Sequence, residues 1–157
     1  NNGLNRVRVE GVKGFKATDT FKVSITYFNG FKASGQLTIS GPDAIKKAKL
    51  IKDVIWEKLD RLGCVYEDRL FEMLGVSSCM NNIQKFPDRV NEVVLRLSVK
   101  SFCRESVENF TKELSPIITA GPPGVTGFSE GRPRVREIIA FWPTLIDKKL
   151  INTEVSI

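Results

Sequence analysis

Thr20–Leu59, TFKVSITYFNGFKASGQLTISGPDAIKKAKLIKDVIWEKL, contains the change of period that decides the fold. Phe21, Val23, Ile25 and Tyr27 alternate with Lys22, Ser24, Thr26 and Phe28. A period of two marks a half-buried strand. Asn29-Gly30 comes next. This dipeptide suits the positive φ that a type I′ turn needs at both central positions, so a hairpin over 21–40 is predicted. Its return strand runs through Ala33, Gly35, Leu37 and Ile39. Gly41-Pro42-Asp43 ends the strand; Pro42 suits a first helical turn and Asp43 the positive end of a helix. From there the spacing is helical, with Ile45, Ala48, Ile51 or Lys52, Ile55 and Leu59 on one stripe to about Leu62, and Gly63 as the stop.

Working outward, Arg69–Val76 reads as a third strand, and the Ser, Asn and Pro content of 77–88 as a loop. Glu92–Lys100 alternates strongly: Val93, Leu95, Leu97 and Val99 form one face, Val94, Arg96, Ser98 and Lys100 the other. A helix over Arg104–Ile117 carries Val107, Phe110, Leu114 and Ile117 at spacings of three and four. Residues 119–134, TAGPPGVTGFSEGRPR, are too rich in Gly and Pro for a regular element. A last strand is predicted over Val135–Trp142, stopped by Pro143, with the remainder a tail. The order is β-β-α-β then β-α-β. It predicts an α+β two-layer sandwich, a mixed β-sheet with two main helices on one face. Residues 1–18 read as a linker, or through Arg6–Val9 as an edge strand, from a missing upstream domain. Residues 19–157 then form the C-terminal α+β domain of a larger protein. The start Asn1-Asn2-Gly3, with no initiator Met and no signal-peptide apolar core, fits a fragment or processed piece.

The chain has 157 residues, 24 Lys+Arg against 18 Asp+Glu, and a net charge of +6. With 41% hydrophobic and 27% charged residues it has the composition of a globular domain, not of a disordered chain or coiled coil. It contains no histidine. That excludes Ser-His-Asp and Cys-His nucleophiles, a His base and His-ligated zinc. Cys64, Cys79 and Cys103 are odd in number and form no CxxC, so no metal site is expected and reduced thiols in a cytoplasmic compartment are. No apolar run is long enough for a spanning helix, so no membrane partner is expected. The carboxylates of Asp88, Glu92, Glu105 and Glu113 show no pairing for acid–base work. Cys79 has no cationic neighbour before Lys85 to lower its pKa. The residues themselves decide neither for nor against an enzyme.

Two features point toward binding. The basic excess suits nucleic acid. However, the lysines are spread along a helix and a strand, and no RNP-like aromatic motif is present, which argues for solvated faces. The second feature is the loop Gly121-Pro122-Pro123-Gly124-Val125-Thr126-Gly127-Phe128, with Arg132, Arg134 and Arg136 beyond it at alternate positions. Glycines let backbone amides approach an anion, and arginines bind phosphate or carboxylate bidentately. The candidate anion site is therefore Gly121, Gly124, Thr126, Gly127, Arg132 and Arg134. The competing view is a crossover whose glycines serve only backbone geometry. The loop is neither a P-loop nor GxGxxG.

Thr119–Ile151, TAGPPGVTGFSEGRPRVREIIAFWPTLIDKKLI, resembles the C-terminal stretch of the acyclic terpene utilisation family. Thr20–Leu59, LFEMLGVSSC (Leu70–Cys79) and NEVVLRLSVKSFCRESVENFTKELSPI (Asn91–Ile117) fall in family order, so the resemblance covers Lys22 to Ile151. It implies a role in catabolism of acyclic terpenes or related branched acyl-CoA compounds. It also implies an upstream α/β domain of the same protein as partner and a CoA thioester as the expected ligand. No cofactor is otherwise implied, and a homo-oligomer stays open. The family often carries a histidine after the third strand; Ser77-Ser78-Cys79-Met80 stands there instead. A non-catalytic interaction or oligomerisation module is the alternative, and a basic nucleic-acid binder comes after it.

Overall fold

The computed structural model describes residues 5–76, 78–79, 90–127, 131–152 and 154. Its elements are β1 (Thr20–Ser40), α1 (Ala44–Arg61), β2 (Asp68–Leu74), β3 (Glu92–Ser101), α2 (Arg104–Ala120), β4 (Val125–Gly127), β5 (Arg136–Asp147) and a 3₁₀ turn, Lys148–Leu150. Two compact units are formed, residues 27–140 and residues 1–26 with 141–157; β1 and β5 run through both.

In the first unit the sheet order is β2-β3-β1-β4. β1 pairs antiparallel with β3 from Phe31↔Ser101 to Ser40↔Glu92, and with β4 from Leu37↔Gly127 to Ile39↔Val125. β2 pairs antiparallel with β3 from Asp68↔Lys100 to Leu74↔Val94. This is a β-α-β-β-α-β arrangement of ferredoxin-like topology. Each β-α-β half leaves a gap of one strand, β3 filling the gap between β1 and β2 and β1 the gap between β3 and β4. The α+β sandwich expected from the sequence is thus present, but its sheet is antiparallel instead of mixed. Strands joined by a helix are parallel to each other, and interlocking the two halves inserts an antiparallel strand between them.

One face of the sheet carries the core. Ala33, Leu37 and Ile39 face Val99, Leu95 and Val93 across the β1–β3 ladder, with Leu97 beside Gly35. They pack with Ala48, Ile51, Ile55 and Leu59 of α1 and with Val107, Phe110 and Leu114 of α2. Each such side chain contributes roughly 1.5–3 kcal/mol on burial. The stripes match those read from the spacing, except that Ala44 takes the place assigned to Ile45 and Ile117 is only half-buried. Gly63 ends α1 with φ +70° and an amide bond to Asp60 O at 3.0 Å.

The predicted hairpin is not formed; Thr20–Ser40 is one 21-residue strand. Gly30 has φ +90°, but among the described residues only Asn5 and Asp43 are non-glycines with positive φ, so Asn29 does not supply the second turn residue. The strand continues because each half finds its own partner: β3 pairs only from Phe31 onward, and β5 also pairs with β1. Gly30 sits where the β3 ladder ends, close against the Ser101 carbonyl. Three smaller expectations also change. Arg6–Val9 forms no strand and is exposed. A three-residue strand, β4, lies within 119–134 because β1 offers it the edge at Leu37–Ile39. β5 continues through Pro143 to Asp147, and a missing N–H is tolerated where it faces no ladder partner. The predicted loop over 77–88 lies almost wholly outside the described residues.

In the second unit the Lys148 amide donates to Asp19 O at 3.0 Å, and its ammonium sits 5.3 Å from the Phe21 ring centre. Phe21, Ile25, Phe141, Trp142 and Leu145 are 40–67% exposed. No described helix is long and apolar enough to cross a membrane.

Candidate functional site

The sheet face away from the helices carries the even-numbered residues of β1 and β3. Cross-strand register sets Lys32 opposite Lys100, Ser34 opposite Ser98 and Gln36 opposite Arg96. Ser98 Oγ donates to Ser34 Oγ at 2.8 Å, and Arg96 pairs with Glu72 of β2 at 3.1 Å. Beyond β4, the segment Gly131–Arg136 runs beside this face. Gly35 faces the helices, like Ala33 and Leu37; an ideal Cβ there would lie 2.7 Å from Pro133 Cγ and 2.5 Å from Leu114 Cδ2, so the absent side chain lets both come close to β1 on that side.

A cleft of about 820 Å³ results, lined by Lys32–Gln36, Leu70, Arg96, Ser98, Gly131–Arg134 and Arg136. Five of its lining residues are cationic and none is a carboxylate. Arg96 is compensated by Glu72. Lys32, Arg132, Arg134 and Arg136 form no ion pair among the described residues. Guanidinium forks and hydroxyls directed at one space bind planar or tetrahedral oxyanions through charge-assisted hydrogen bonds. Among the described residues the lining includes no carboxylate, cysteine or tyrosine.

Arg132 and Arg134 therefore lie in the cleft, together with Arg136 from the same alternating row. Gly121, Gly124, Thr126 and Gly127 do not line it. Gly121 closes α2 with its amide on Ile117 O at 2.9 Å. The Gly124 carbonyl accepts from the Ser40 amide at 2.8 Å and from Ser40 Oγ at 3.1 Å. Lys47 Nζ donates to Pro123 O at 2.8 Å and to Ser40 O at 3.1 Å. Thr126 and Gly127 pair with Thr38 and Leu37. Phe128 is outside the described residues. The loop thus offers carbonyls to Ser40 at the end of β1 and to Lys47 in the first turn of α1.

Lys32, Ser34, Gln36, Arg96 and Ser98 were not among the sequence-derived site residues. Their signal is the polar half of the alternation in β1 and β3, which reads equally as a solvated face until the Arg132–Arg136 segment is placed over it.

The perturbed titratable groups lie elsewhere. A hydrogen bond from Arg69 holds the Asp60 carboxyl below its usual range, and the Arg69 guanidinium rises in turn. Burial pushes the Tyr66 phenol up; its hydroxyl donates to Ser106 O at 2.7 Å. Cys103, exposed at the N-cap of α2, is lowered by the Ser106 hydroxyl and then its amide, which favour the thiolate. Cys64 is buried and Cys79 exposed.

The sequence profile described as acyclic terpene utilisation family protein AtuA matches residues 1–157, and the chain belongs to that family. No curated protein and no solved structure matches it.

Proposed function

We propose that this member of the acyclic terpene utilisation family is the C-terminal α+β domain of a cytoplasmic catabolic protein, partnered by an upstream α/β domain. In this reading it binds the anionic part of a terpene-derived or related branched acyl-CoA compound. One observation carries it: Arg132, Arg134 and Arg136 converge with Lys32 and Arg96 on a single cleft. Gly121, Gly124, Thr126 and Gly127 serve it by fixing the start of the arginine segment. The cleft's contribution is binding; catalytic groups come from elsewhere in the protein. Nucleic acid fits less well, because none of the described lining residues is an aromatic ring that could stack a base. The test is NMR shift mapping of the chain with CoA. Shifts are expected at Lys32, Arg96, Arg132 and Arg134, and Arg132→Ala should abolish them. Shifts confined to other surfaces would refute the reading. A second reading, an interaction module, draws on the exposed Phe21, Ile25, Phe141, Trp142 and Leu145. Sedimentation of the chain at rising concentration tests it, and a monomer throughout would count against it.

A further inference from the structure

Resting on the reading of the cleft as an anion site, we propose that its ligand class is a diphosphate-bearing molecule, that the cleft grips the phosphates, and that it reads neither nucleobase nor acyl chain. The charge count supports this first. Four cations are left after Glu72 compensates Arg96. A monocarboxylate would neutralise only one of them, whereas each phosphate monoester brings about −1.5 to −2. Reach supports it next. Arg132 and Arg136 are separated by as much as ~13–14 Å of extended chain. One carboxylate meets one guanidinium fork, whereas linked phosphates present oxygens to several. Ser34, which accepts from Ser98, adds a hydroxyl donor on the floor of the same space.

The rest of the lining decides what is excluded. Ala33, Leu70 and Pro133 are its only sizeable apolar contributions. An acyl chain gains about 0.8 kcal/mol per buried CH₂ only against apolar surface, so the chain lies outside. With no aromatic ring among the described lining residues, purine and pyrimidine nucleotides are held alike.

The experiment is calorimetry on the whole chain at fixed low salt, with inorganic diphosphate, ADP, UDP, CoA, inorganic phosphate, octanoate and a single-stranded oligonucleotide as probes, the bound position read by NMR shifts. Diphosphate, ADP, UDP and CoA should bind within a few-fold of one another and at least about tenfold tighter than phosphate or octanoate, a gap equal to ~1.4 kcal/mol. Arg132→Ala should weaken diphosphate binding by about tenfold, and Arg132→Lys by less, because a fork is replaced by a point charge. Glu72→Gln should tighten binding a few-fold by freeing Arg96. Arg132 is exposed, so its variants should melt with the parent. Octanoate matching diphosphate at Arg132 and Arg134 would overturn the diphosphate assignment and leave the anion site standing. No anion shifting those residues would sink both. ADP exceeding UDP tenfold would overturn the claim that the base is unread, and an oligonucleotide tenfold tighter than diphosphate would replace the ligand class.

Discussion

Replacing Gly35 by alanine tests whether the arginine segment lies where the cleft requires it. The added Cβ would stand 2.5 Å from Leu114 Cδ2 and 2.7 Å from Pro133 Cγ. Carbon atoms settle at about 3.5–4.0 Å, so both neighbours must retreat by roughly 1 Å. Leu114 is 3% exposed and packed in the core, while Pro133 is a stiff ring between two site arginines. Overpacking of this kind costs about 1–3 kcal/mol. Alanine returns ~0.4–1 kcal/mol by restricting the unfolded chain. A net loss of about 1–2 kcal/mol remains, which lowers Tm by roughly 2–8 °C for a chain of this size. Diphosphate affinity should fall as well, because displacing Pro133 shifts its chain neighbours Arg132 and Arg134, which line the cleft. Scanning calorimetry and the titration described above read the two effects. Gly14→Ala, with nothing within 4 Å of its Cβ, is the control and should leave both unchanged. A Gly35→Ala protein that melts and binds like the parent would show that Pro133 does not rest on β1, and the cleft would lose its roof.

Gly30→Val should destabilise by more than the ordinary surface range of ~0.5 kcal/mol, because φ is +90° and a Cβ would lie 2.8 Å from the Ser101 carbonyl oxygen; equal thermal stability would remove the break in the ladder at that point. Lys47→Met should cost about 1 kcal/mol through its bonds to Ser40 O and Pro123 O, yet leave diphosphate affinity within two-fold. A parallel loss of binding would make the glycine-proline loop part of the site. Iodoacetamide should label Cys103 and spare Cys64 until the protein unfolds. Since the Cys103 pKa is lowered, its thiolate, and so its labelling rate, should rise at lower pH than in an unstructured cysteine peptide, and Ser106→Ala should move the profile back up.

The strong periodicities carried most of the fold. Val93, Leu95, Leu97 and Val99 on one side of β3, and Ile51, Ile55 and Leu59 along α1, are buried as their spacing requires, because an element with one apolar face has only one way to hide it. Asn29-Gly30 misled for the opposite reason. Its preference for a tight turn is local, and the pairing of β1 with β3 and with β5 is a tertiary gain that outweighs it. Strand direction was also hidden, since two β-α-β halves read identically whether they lie side by side or interlock. The site was half legible. Arg132 and Arg134 stand out by their alternation, whereas Lys32, Ser34, Arg96 and Ser98 carry no mark in the chain that separates a cleft floor from a solvated face.

The position of the cleft follows from the topology. Interlocking places β1 inside the sheet, so its even-numbered residues share the open face with those of β3. β4 leaves β1 at Leu37, and β5, which begins at Arg136, pairs with the same strand. Among the described residues, Gly131–Arg134 and Arg136 line the cleft beside Lys32–Gln36. A strand continuing in register would have spent Arg132 and Arg134 on an ordinary ladder, half of its side chains turned toward the helices. Residues 131–135 belong to no strand, and the missing Cβ at Gly35 lets Pro133 come close to β1 on the helix side. The arginines on either side then share a cleft with Ser34, Ser98 and Arg96, and none of its described lining residues is a carboxylate. A basic stretch that looks like a loop in sequence becomes one wall of a binding cleft because the strand it skirts has a glycine at the crossing point.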